Sequence, residues 1–251
     1  MFGPLLILAA AVAAMAQPPR RLPPAPASRL DLTRNWQVES SAGGRRYPAR
    51  VPSTIVSTLV DNGALPDPYF GMNLRAFAGV NYWIGDNFSN RPMPDGSPYG
   101  VPWWYRTTFQ LPADLAGERL WLHFDSINYR ANVWLNRRQI ADSNQLRGMY
   151  RTFEFDVTEA AVRGANLLEV EVFAPTEDDF TITWVDWNPM PPDKDMGITG
   201  PAYLTRSGPV AVRNPQVVGT SRGSLGHERR VRPHAESRTL RERRRPGMLG
   251  D

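Results

Sequence analysis

The chain contains no cysteine. Disulfides, thiolate metal sites and a cysteine nucleophile are therefore excluded. Histidine is almost as scarce, since His227 and His234 lie beyond Val218 and only His123 stands in the body of the chain. A histidine-based metal site or a Ser-His-Asp triad has almost no material. Lysine is scarcer still: of 29 basic side chains, Lys194 is the only one that is not Arg. That bias reads as GC-rich coding rather than chemistry. There is no Gly-rich phosphate loop and no apolar run long enough to span a membrane. No metal or other cofactor is expected.

What is present fits a folded protein. The 251 residues are 41% hydrophobic and 22% charged, enough for one large domain or two small ones with a sizeable core. The net charge of +4 is unevenly placed. From Gly219 to Asp251 nine Arg stand against three Glu and one Asp, a net of +5, which leaves the body at −1. The basic character belongs to the tail.

The N-terminus has the pattern of an export signal. Leu5 to Met15 is an apolar run of h-region length, and Ala14-Met15-Ala16 supplies a small-x-small cleavage site. No Lys or Arg precedes the run, and the alternatives are an uncleaved anchor or a misplaced start. Residues 1–16 are thus expected to be a signal peptide and the mature protein periplasmic or secreted, with no stable membrane association after cleavage. Residues 17–29, opening QPPRRLPPAPAS, form a Pro/Ala-rich extended linker.

Residues 30–218 follow a period of two. Tyr105, Thr107, Phe109 and Leu111 alternate with polar or outward positions, as do Phe153, Phe155 and Val157, and Leu168, Val170 and Val172. Each stretch predicts a strand with one buried face. Leu120–Phe124 and Asn132–Leu135 are shorter runs of the same kind. Asn136-Arg137-Arg138-Gln139 reads as a hairpin turn without its usual Gly, and Gly164-Ala165-Asn166 as a second turn. A single helix is expected from Thr54 to Asn62, started by Pro52-Ser53 and stopped by Asn62-Gly63. Many short strands, frequent turns and long Pro/Gly loops predict an all-β sandwich of jelly-roll type. Residues 219–251 break this pattern and are expected to be disordered. Three readings stay open for them: a basic tail for nucleic acid or anionic surfaces, a solvated terminus, or out-of-frame translation. An exported protein has little reason to bind nucleic acid, so frameshift or truncation is favoured.

WWYRTTF at Trp103–Phe109 and LHFDSINYRANVWLNRRQI at Leu122–Ile140 resemble glycoside hydrolase family 2. The resemblance continues through Gly148–Thr158, Gly164–Val170, Asp186–Pro189, Pro192–Gly197 and Pro201–Leu204. Val51–Thr54 and Asp67–Tyr69 point to the exo-β-glucosaminidase and β-mannosidase branch. The resemblance implies a galactose-binding-like jelly roll, the N-terminal sugar-binding domain of such enzymes. It also implies that the immunoglobulin-like domain and the barrel with both catalytic glutamates are missing here, so that no catalytic residue is expected in the chain. The implied partner is a carbohydrate, either a β-linked amino sugar or a mannoside. The alternative is a stand-alone secreted carbohydrate-binding module.

Trp184-Val185-Asp186-Trp187-Asn188-Pro189 is the candidate contact. An aromatic ring covers the apolar face of a pyranose while a carboxylate or amide meets its hydroxyls. β-Mannosidases carry a similar Trp-Asp-Trp-Gly-Pro loop. Asp186 and Trp187 match it, while Val185 and Asn188 depart from it. The alternative is that Trp184 and Trp187 plug the core and Asp186 forms a turn. Asp193 and Asp195 sit in a stretch resembling PPDKxMG and either line the same pocket or form a solvated turn or local cap. As a catalytic pair, neither they nor Glu177-Asp178-Asp179 are persuasive, because each cluster follows proline and reads as a solvated loop. Relatives often carry Ile-Trp after the Gly; here Thr199 follows Ile198. Asn128 and Tyr129 read as structural, Trp134 as core, and Arg130 as the partner of an acid. Asn87-Phe88-Ser89 is a glycosylation sequon of no consequence in most bacteria.

Overall fold

The computed structural model describes residues 29–80, 91–115, 117–182, 184, 189–220 and 230–239. In chain order these form β1 (Arg29–Asp31), β2 (Trp36–Ser40), β3 (Tyr47–Ala49), β4 (Ser53–Thr54), α1 (Ile55–Asp61), a 3-10 turn (Asn73–Ala76), β5 (Trp103–Leu111), β6 (Arg119–Phe124) and β7 (Arg130–Leu135). There follow β8 (Arg138–Ala141), β9 (Phe153–Asp156), β10 (Gly164–Phe173), β11 (Gly197–Ile198), β12 (Ala202–Ser207), β13 (Val210–Thr220) and β14 (Arg230–Thr239).

Two antiparallel sheets make the sandwich, one ordered β1-β12-β6-β9 and the other β3-β2-β5-β10-β7-β8. The expected alternation builds both. β5 buries Trp103, Tyr105, Thr107, Phe109 and Leu111, and β10 buries Asn166, Leu168, Val170 and Val172. Register places Val170 between Tyr105 of β5 and Val133 of β7. From the facing sheet, Leu122, Phe124, Ala202 and Leu204 enter the same core. Each fully buried large side chain contributes roughly 1.5–3 kcal/mol through water exclusion. This is the all-β jelly-roll sandwich that the period of two predicts.

The outer face of the six-stranded sheet is polar but ordered. Arg106 bridges its cross-strand neighbours, reaching Glu39 at 2.9 Å and Glu169 at 3.0 Å. Trp134 belongs to this outer face rather than to the core expected for it. Ala131, Val133 and Leu135 point inward, so parity sends Trp134 outward, where it packs on Trp104 with ring centroids 5.3 Å apart.

The expected helix is α1, with Thr54 as N-cap and Asn62 as C-cap. Thr54 and Ser57 form a reciprocal capping box. The stretch Gly164–Asn166 is not a separate turn: all three residues already pair with β5 as the start of β10. The turn precedes them, and the buried Asn166 side chain closes it by bonding both the N–H and the carbonyl of Val162. The tail also departs from expectation. Arg230–Thr239 pairs with Val210–Thr220 in a two-stranded ladder that joins neither main sheet. Backbone pairing requires no hydrophobic alternation, so the sequence pattern gave no sign of it.

The β7–β8 hairpin turns where expected, with Asn136 and Arg137 both at positive φ, 52° and 68°. A side chain beyond Asn or Gly costs about 1 kcal/mol in this region. Arg137→Gly should therefore raise unfolding free energy by about 1 kcal/mol in urea denaturation. An unchanged or lower midpoint would show that the Arg137 side chain compensates for its backbone.

Candidate functional site

The register brings two connections to one end of the sandwich. The end of β10 lies beside the start of β7, and the start of β12 beside the end of β6. The short 125–129 crossing and the long 174–201 connection therefore meet there, and the second carries every candidate sugar-contact residue.

Asn128 joins them. It is fully buried, and its backbone exchanges two hydrogen bonds with Gly197, both 2.9 Å. Its Nδ2 donates to the carbonyls of Lys194 (2.9 Å) and Asp195 (3.0 Å), and its Oδ1 accepts from Thr181 Oγ1 at 2.9 Å. One side chain thus holds residues on both sides of the Trp184–Asn188 stretch. Leaving such groups unmet in the interior would cost about 1–3 kcal/mol each. The approach at Gly197 is close: a Cβ there would stand 2.3 Å from the carbonyl oxygen of Ser53 and 2.7 Å from the Tyr105 hydroxyl. Only glycine fits.

The 193–195 turn is buried where a solvated loop was expected. Asp193 has no exposed surface, and its Oδ2 accepts from Val56 N–H at 2.7 Å while its Oδ1 accepts from Asp195 N–H at 3.0 Å. Together with Ile55 N–H on the carbonyl of Met196 (2.9 Å) and Ser57 N–H on Thr54 Oγ1 (3.1 Å), this meets the first free N–H groups of α1. Of the two structural alternatives for Asp193, this is the cap, and it is tertiary rather than local. Lys194 and Asp195 hold positive φ at 50° and 57°. Lys194 is buried, and its ammonium donates to the carbonyl of Arg91. Burial lowers its pKa, against the pull of Glu177 and Asp179. Burial, reinforced by the neighbouring Asp195, pushes Asp193 up to about 7. Burial alone pushes Asp195 up to about 6.

Trp184 is also buried, at 1% exposure, outside the sandwich core. Asp186, Trp187 and Asn188 lie outside the described residues, as do residues 1–28 and the Asn87 sequon. In the other acidic cluster, Asp179 is buried against Arg130, while Thr176 donates to it from its N–H (2.8 Å) and hydroxyl (2.9 Å). The Arg130 partner anticipated from sequence is therefore Asp179. Glu177 and Asp178 are exposed. Sequence reasoning missed a cleft of about 290 Å³ beside this ion pair, with walls from Tyr99–Pro102, Arg130, Ser143 and Phe173–Glu177. No single stretch signals it, because five separated segments, Met93 among them, build it. Among the described residues no group of His, Asp and Glu could hold a metal ion, and no helix is long and apolar enough to cross a membrane.

Two stacked antiparallel sheets with long connections gathered at one end form a galactose-binding-like β-sandwich domain. Residues 99–183 match the family described as glycosyl hydrolase 2 galactose-binding domain-like. Over those residues the chain therefore carries a domain of the glycosyl hydrolase 2 galactose-binding type. It is 31% identical over 182 residues to an exo-β-D-glucosaminidase of Amycolatopsis orientalis, covering 72% of this chain and 16% of that protein. A β-mannosidase of Bos taurus is 29% identical over 175 residues, covering 66% and 17%. The crystal structure of an Amycolatopsis orientalis exo-chitosanase superposes with a TM-score of 0.64 at 26% identity, covering 76% of this chain and 22% of that one. The chain thus spans about a sixth of the length of these curated relatives.

The raised Asp193 sets a sign for pH dependence. The folded carboxyl keeps its proton to higher pH than the unfolded one, whose pKa is about 4. Folding therefore takes up protons between about pH 4 and 7, and this group's contribution to stability falls as pH rises through that window. Asp193→Asn should flatten the decline, leaving the share due to Asp195, and should lower stability at pH 4 because its amide can accept only one of the two N–H bonds. Urea denaturation at pH 4, 5.5 and 7 measures both. Parallel curves for variant and wild type would rule out proton uptake by Asp193.

Proposed function

We propose that the chain supplies the N-terminal sugar-binding domain of an exported family 2 β-glycosidase of exo-β-glucosaminidase or β-mannosidase type. Retaining or inverting hydrolysis requires two carboxyls facing each other across the scissile bond. Asp193 is unsuited to that task, because both its oxygens are occupied by backbone N–H groups. Its role is to fix a loop, and the domain contributes substrate positioning rather than bond cleavage. The observation that carries this reading is the double anchoring of the 181–197 stretch by Asn128 in a domain of this family. A stretch held at both ends presents side chains at low entropic cost. Asp186, with Asn188, would meet sugar hydroxyls, and Trp187 would cover an apolar sugar face. Residues 1–16 would direct export to the periplasm or medium.

The purified chain, incubated with chromogenic β-glucosaminide and β-mannoside, should release no chromophore. Clear turnover by this chain would overturn the non-catalytic assignment.

A stand-alone carbohydrate-binding module is the second reading. It is favoured by an aromatic pair left in water, Tyr150 (63% exposed) and Phe180 (81%), with ring centroids 5.8 Å apart. Such a surface commonly meets a partner. Calorimetric titration with glucosamine and mannose oligomers separates the two. Under this second reading the isolated chain binds one of them, and Asp186→Ala or Trp187→Ala abolishes the heat. No heat with any oligomer would exclude the stand-alone module.

A further inference from the structure

The cleft beside Arg130 has no role in the site described above. Its volume, about 290 Å³, lies at the lower end of the range for small-molecule sites, suited to one sugar-sized ring. One wall is apolar and rigid. Tyr99 is only 2% exposed and stacks on Trp103 at 6.3 Å, and Phe173 and Pro175 continue that wall. The other groups are polar and only partly used. Arg130 gives one N–H to Asp179, and its remaining four N–H groups meet no partner among the described residues. Because Asp179 balances Arg130, their joint charge is near zero. Glu177, at the rim, is exposed and makes no hydrogen bond or ion pair among the described residues. The ammonium of Lys194 acts on it only through space and is itself committed to the carbonyl of Arg91. The cleft therefore combines an apolar wall, unused guanidinium donors and an unpaired carboxylate.

We infer that this cleft is a binding site for one ring of an amino-sugar chain, with the ring's ammonium on Glu177, its hydroxyls on Arg130 and its apolar face against the Phe173–Pro175 wall. The inference rests on the carbohydrate reading proposed above and adds a second place of contact and a preference for charge. A charge-assisted hydrogen bond is stronger than a neutral one. Removing the carboxylate should therefore weaken a cationic sugar about tenfold and leave a neutral one unaffected. The exposed position of Glu177 allows its substitution without loss of packing.

The test is calorimetric titration of the full chain with a glucosamine trimer and an N-acetylglucosamine trimer, using wild type, Glu177→Gln and Asp186→Ala. Thermal melts confirm that each variant is folded. The expected result is that the glucosamine trimer binds wild type, binds Glu177→Gln about tenfold more weakly, and that the acetylated trimer does not distinguish the two. Equal binding of the glucosamine trimer to wild type and Glu177→Gln, with loss only in Asp186→Ala, would overturn the cleft and leave the carbohydrate reading standing. No binding of either trimer to wild type would overturn the cleft and count against the stand-alone module.

Discussion

One buried amide governs the end of this domain where its connections cross. Asn128 spends its side-chain donors on two carbonyls of one turn and its acceptor on a hydroxyl from the opposite side of the same connection. Its backbone is tied to Gly197 in both directions. No aliphatic residue could replace it, because burial would leave several polar groups unmet. Aspartate could accept from Thr181 but could not donate to two carbonyls. The amide alone has donors on one side and an acceptor on the other. Gly197 completes the constraint from the other strand, since β11 can reach β4 only without a Cβ at that position.

From this anchor the unusual burial of Asp193 and Lys194 follows. Two successive ionisable residues, with Asp195 half-buried beside them, are taken from water in a turn that holds two positive φ values. Such a turn is unfavourable alone. It persists because its carbonyls are taken by Asn128 and its first carboxylate by the N-terminus of α1. The helix gains as well, since a negative group near its N-terminus complements the backbone dipoles. Turn and helix thus stabilise each other across the fold, and the rise in the Asp193 pKa reflects the burial this arrangement requires.

Most of the sandwich was legible in the sequence because period-two burial is local information. Tyr105, Leu168 and Val170 declare their face through their immediate neighbours. The helix was legible for the same reason, its cap and its stop lying within nine residues of each other. Trp134 was misread because residue type was weighed above parity: a large aromatic suggests a core, but its strand neighbours fix the opposite face. The Asp193 turn was misread because its fate depends on Val56, 137 residues away. Proline-flanked acids look solvated unless a distant donor is known to face them. The cleft at Glu177 was invisible because its walls come from five parts of the chain.

These constraints also bear on how such a domain can act. Its two sheets are closed by a core shared between them, and their exposed face is latticed by Arg106 with Glu39 and Glu169. Little at that face is free to meet a ligand. At the end where the connections cross, the cleft beside Arg130 and the exposed aromatic pair Tyr150–Phe180 remain open to solvent. A domain that commits its buried polar groups to holding loops, with a cleft and an exposed aromatic pair beside those loops, is suited to presenting a surface there. Selectivity among sugars would then depend on few groups. On the proposed reading the apolar wall of the cleft would accept any pyranose face, and the charge at its rim would separate an amine from a hydroxyl.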